Sequence, residues 1–175
     1  MPRYAAFALV IATGLLVGMA MRSALTPPVS RGDQFVAIFE QWCVARLNGL
    51  TPQQEGVLHP VKMTLDMTVW IETRTGLVLE PTAGGCTVND APHHLDTEAR
   101  AVVTAQVVDR MHKWAPALKQ GQPRLALEFD VFLFWDSTDD FSDPSRWGVF
   151  LSRAQKTGED AQTSLTLSLP KQVSE

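Results

Sequence analysis

The chain is 175 residues long and 45% hydrophobic, which is enough for one compact domain with a real core and too apolar for a largely disordered protein. Its formal net charge is -4 and its basic residues form no run. Nucleic acid and anionic lipid surfaces are therefore not expected as principal partners, since both select clustered Lys and Arg.

The N terminus carries the strongest signal. Arg3 makes it positive, and Tyr4 to Met21 then runs without a charged side chain. Export machinery reads a basic start followed by an apolar stretch, so the rest of the chain is expected outside a membrane, periplasmic or extracellular. Gly18 and Ala20 are small enough for cleavage after Ala20, which makes residues 1–20 a signal peptide. The same uncharged span sits near the lower length limit for a bilayer-crossing helix. Retention of residues 4–21 as an inner-membrane anchor is thus the competing fate, although Arg22 argues against it because flanking positive charge prefers the cytoplasmic side.

Residues 21–32 read as a flexible linker, with Pro27-Pro28 and Gly32 discouraging regular structure. Arg31-Gly32-Asp33 spells an adhesion tripeptide, but such short strings recur by chance and Asp33 is better read as a helix N-cap. That helix is expected from about Gln34 to Asn48, with Phe35, Ile38, Phe39 and Trp42 on its apolar side and Gly49 as a left-handed stop. Cys43 falls on the buried side. Lys62 to Thr73 then alternates cleanly. Met63, Leu65, Met67, Val69 and Ile71 share one face, opposite Thr64, Asp66, Thr68, Trp70 and Glu72, as in one half-buried strand. A second strand begins at Leu77 to Leu79 and is interrupted by Pro81 and Gly84-Gly85 before Cys86-Thr87-Val88, as a bulge or bent edge would require.

Asp96 is a good N-cap for a second helix, with Glu98 in its first turn. Leu95, Ala99, Val103, Val107, Met111 and Trp114 follow helical spacing, and Pro116 ends the helix near Ala115. Strands are expected over Leu125–Asp136, Trp147–Arg153 and Thr163–Leu169, with 171–175 a disordered tail. The order α-β-β-α-β-β-β within residues 33–170 implies a single α+β domain. Its expected architecture is two-layered, a mainly antiparallel sheet of about five strands with two helices packed on one face. No internal repeat is visible.

Cys43 and Cys86 are the only cysteines, and in an oxidising compartment an even pair most simply forms one disulfide. Their separation resembles neither a CxxC redox motif nor a zinc spacing. His93 and His94, with Asp96 and Glu98 nearby, could meet a divalent cation, as could Asp139 and Asp140 in the loop from Asp136 to Asp143. A solvated loop with an N-cap and a polar hairpin loop explain both groups better, so neither a metal nor another cofactor is expected. Glu128 and Asp130 share a strand face as a glycosidase pair would, and as two solvated carboxylates commonly do. With no nucleophile elbow and no phosphate-cradling loop, no catalytic residue is assigned. The remaining signal is aromatic. If the polar faces of the two long strands lie on one side of the sheet, Trp70, Phe132 and Phe134 form an apolar patch outside the core, suited to a partner protein.

These readings favour an exported, non-enzymatic protein-interaction domain, or an accessory subunit whose partner is another envelope protein. The alternative is a small-molecule or lipid binder, or a hydrolase, with a pocket between sheet and helices lined by Met63, Met67 and Phe129.

Overall fold

The structure, a computed structural model, describes residues 30–50, 58–63, 68–91, 93–121, 129–140, 142–154 and 162–170, with the side chains of 129–132 and 154 excepted. The leader, most of the linker and the tail expected from the sequence lie outside the described residues, as do Met67, Glu128 and the side chains of Phe129, Asp130 and Phe132. Among the described residues, no helix is long and apolar enough to cross a membrane.

The first helix starts earlier than its sequence suggests. Ser30, not Asp33, is the N-cap: its Oγ accepts from the Asp33 amide at 3.0 Å. Asp33 occupies the third helical position, where its carboxylate accepts the Ser30 hydroxyl at 2.5 Å, a reciprocal arrangement like a capping box. The linker therefore ends before Arg31. Helix α1 spans residues 31–47: α-helical Arg31–Ile38, a wider π-helical stretch Phe39–Val44, and a last α-turn Ala45–Leu47. Gly49 follows with φ of 70°, the left-handed stop that its lack of a Cβ permits.

Eight strands follow instead of five: β1 (Leu58–Lys62), β2 (Thr68–Glu72), β3 (Val78–Thr82), β4 (Gly85–Asn89), β5 (Lys119–Gln120), β6 (Phe129–Asp136), β7 (Gly148–Ala154) and β8 (Thr163–Ser168). Helix α2 (Thr97–Trp114) lies between β4 and β5, and Asp96 caps it by accepting from the Ala99 amide at 2.8 Å. The single strand expected over Lys62–Thr73 is a hairpin, with Val61 opposite Val69 and His59 opposite Ile71. The interrupted second strand is likewise a hairpin, β3 and β4, turning at Ala83-Gly84. Pro81 is tolerated because β2 pairs with β3 only at Leu79 and Val78, which leaves Pro81 with a partner on one side alone.

All neighbouring strands are antiparallel, in the order β1-β2-β3-β4-β8-β7-β6-β5. Each half of the chain thus contributes one helix and a four-stranded meander, and the two meanders join at β4 and β8. Thr87 faces Thr166 at this junction, their hydroxyls 3.0 Å apart. This repeat of topology leaves little trace in the sequence, since the second half opens on a strand only two residues long.

The register defines one buried row across the sheet: Trp70, Leu79, Val88, Leu165, Leu151 and Leu133 are successive cross-strand partners and point to one side. Both helices pack onto this side, α1 with Phe35, Phe39 and Cys43 and α2 with Val103, Val107 and Met111. The helices run in the same direction and touch along their length. Gly32 lies under Ala99 and Val102, while the Phe39 and Trp114 ring centroids are 5.4 Å apart. A Cβ on Gly32 would sit 2.7 Å from the Ala99 carbonyl oxygen, so this close approach requires glycine.

Candidate functional site

Cys43 and Cys86 form a disulfide, as the sequence leads one to expect, with their Cα atoms 5.4 Å apart. It ties the π-helical stretch of α1 to β4, in the middle of the sheet. Arg46, one turn further on, reinforces the junction by donating to the Thr82 and Gly85 carbonyls at 2.6 and 3.2 Å.

The proposed aromatic patch does not assemble. Trp70 belongs to the helix side of the sheet, where its ring lies 5.6 Å from that of Trp42. Phe134 belongs to the opposite side and to a strand five places away, β6. It is only 6% exposed, and a Cβ on Gly121 would overlap its ring, so the backbone at Gly121 covers it. The Gly121 amide also donates to the Phe134 carbonyl at 3.0 Å. Phe132 is placed by register opposite Ser152, on Phe134's side of the sheet, with its side chain outside the described residues. The alternation read from Lys62–Thr73 is correct, but the assignment of its faces is reversed. α1 places Trp42 over the Trp70 face, and covering a large indole outweighs covering Val69. Met63, expected inside, is 60% exposed at the end of the edge strand β1 and lines no cavity.

The candidate metal ligands are apart or engaged. Asp140 accepts from both the amide and hydroxyl of Ser142, at 2.8 and 2.7 Å, and these bonds hold its carboxyl below the usual range. Asp143 binds Ser145 in the same way. These are turn-forming side chains closing their own loop. Asp139 is exposed beside them. His93 and His94 sit in the segment before α2, where their carbonyls accept from the Arg31 guanidinium at 2.5 and 2.8 Å. The Arg31-Gly32-Asp33 string is consumed in structure: Arg31 clamps the loop, Gly32 allows helix contact and Asp33 completes the cap.

Two buried carboxylates escaped the sequence reading. Asp90, fully buried, accepts from the amides of Thr163 and Leu95, each at 2.8 Å, and the His94 Nδ1 lies 3.6 Å away. Glu72 is also fully buried, and burial by itself raises its pKa. Hydrogen bonds from the Thr75 hydroxyl, from Arg74 and from the Thr75 amide outweigh that burial and hold the carboxyl below its ordinary value.

A groove of about 390 Å³ lies between α2 and strands β7 and β8. From α2 it receives Thr97, Arg100, Ala101, Thr104 and Ala105, a stripe with helical spacing beside the one that enters the core. From the sheet it receives Leu151, Arg153 and Thr163. Arg153 and Thr163 are direct cross-strand partners and share the helix-facing side with Leu151 and Leu165. Arg100 donates from Nε to the Leu95 carbonyl at 2.5 Å, which fixes the plane of its guanidinium. The α2 stripe is legible in the sequence as a polar and small face; its meeting with Arg153 and Thr163 is not, because the pairing of β7 with β8 decides it. On the other side of the sheet, a hollow of about 470 Å³ is lined by Arg146, Trp147 and Phe150 with Ser142, Asp143 and Pro144. No family model, curated protein or solved structure matches the chain.

Proposed function

We propose that the chain is an exported, non-enzymatic domain that acts by holding a partner, as an accessory subunit beside another envelope protein. Residues 4–21 are either the leader removed on export or the segment that keeps the domain at the membrane. The observation that carries the reading is the sheet surface turned away from the helices. Thr87, Thr166, Ser152, Ser164 and Phe150 form there a nearly flat, half-buried field, and none of the described helices packs on it. A broad polar field with an aromatic residue in it is suited to a protein partner, since interface cores combine aromatic anchors with few charges. The use of the buried carboxylates agrees with such a role. Asp90 and Glu72 are saturated by amides and hydroxyls of their own loops, as structural groups are.

The test is affinity purification of the full-length protein from membrane and soluble fractions, compared with T166R, which places a charge in the field. Companions retained by the native chain and lost with T166R support the reading. A lone monomer, or companions unaffected by T166R, refutes it.

A further inference from the structure

We propose that the groove between α2 and β7–β8 binds a small ligand consisting of a carboxylate on a short apolar body. The starting observation is Thr163. It is 4% exposed, it lines the groove, and its Oγ1 has no hydrogen-bond partner among the described residues. A buried hydroxyl left in that state is costly, and native structures rarely tolerate one without a water, ion or ligand to meet it.

The surroundings of Thr163 specify what meets it. Arg153 stands directly across the ladder on the same face, and Arg100 reaches the groove from α2 with its Nε already held by Leu95. Two guanidinium groups beside a hydroxyl donor form a receptor for a planar oxyanion, because the guanidinium fork matches the two oxygens of a carboxylate. The nearest buried carboxylate, Asp90, has its two oxygens occupied by the amides of Thr163 and Leu95. Leu151, Ala101 and Ala105 supply an apolar wall next to this polar end. A volume of about 390 Å³ lies toward the small end of ligand sites, which limits the body to a short chain or a single ring. The inference is independent of the partner surface, which lies on the other side of the sheet.

Octanoate is a suitable probe, measured by calorimetry on the purified protein against octanol and octylamine, which share its chain but not its charge. Octanoate should bind saturably, octanol at least about tenfold more weakly, and octylamine not at all. R100Q and R153Q should each weaken octanoate by on the order of tenfold, the worth of one charge-assisted pair. Ala105 is exposed on α2, so A105F should fill the groove and abolish binding while thermal unfolding stays near that of the native chain. Absence of octanoate binding in the native protein overturns the proposal. So does equal binding of octanol, or full binding by A105F.

Discussion

Reduction or removal of the disulfide should destabilise the domain by an amount that the loop it closes determines. Cys43 and Cys86 are separated by 43 positions, and constraining a loop of that length in the unfolded chain contributes about 4 kcal/mol. Domains of this size are stable by roughly 5–15 kcal/mol, so the bond supplies a large fraction of the total. At roughly 2–4 °C per kcal/mol, the melting temperature should fall by roughly 8–16 °C when dithiothreitol is added. A C43A/C86A variant should melt slightly below the reduced native protein, since removing two buried sulfurs costs about 1–2 kcal/mol of packing. Its own melting should be indifferent to reductant. The assay is differential scanning calorimetry on both proteins with and without dithiothreitol. Equal melting of oxidised and reduced native protein would refute the loop-entropy argument, as would a double variant that still responds to reductant.

Glu72 gives a pH prediction with a definite sign. Its folded pKa is below the ordinary 4.5, so its stabilisation is fully present above that value and is lost as the pH falls through the depressed one. E72Q should lose about 1–3 kcal/mol at neutral pH and show a flatter acid limb in urea titrations; an unchanged acid limb would remove Glu72 from the account. Trp42 and Trp70 should be coupled: each alanine variant should cost about 3 kcal/mol, and a double-mutant cycle should leave about 0.5–1.5 kcal/mol between them. Zero coupling would place Trp70 on the other face of the sheet. G32A should cost about 1–3 kcal/mol by forcing α1 off α2, measured as a lower urea midpoint at unchanged slope.

Several features were legible because they depend on local chemistry. The spacing of Val103, Val107 and Met111 identifies α2 and its buried stripe, and Asp96 identifies its start, because a helix repeats every 3.6 residues and needs an acceptor at its N terminus. The cysteine pair was legible by counting. The first helix was recognised but misread at its start, where Ser30 and Asp33 are both competent caps three residues apart. The strand count failed for a physical reason. Alternation continues through a hairpin, so Lys62–Thr73 looks like one strand although β1 and β2 fold back on each other. The groove was missed because Thr163 and Arg153 are ten positions apart in sequence and become neighbours only through pairing of β7 with β8.

The sequence by itself determined the α+β class, the two helices, the antiparallel meanders in outline and the disulfide. Each follows from periodicity, capping or residue identity within reach of a few neighbours. Tertiary structure alone decided which face of β2 is inside, how many strands the sheet has and what stands beside Thr163. A strand offers two equivalent faces, and only the helix that covers one of them makes the choice. Here α1, held to β4 by Cys43 and Cys86, sets Trp42 over Trp70 and turns the rest of the sheet's second surface outward.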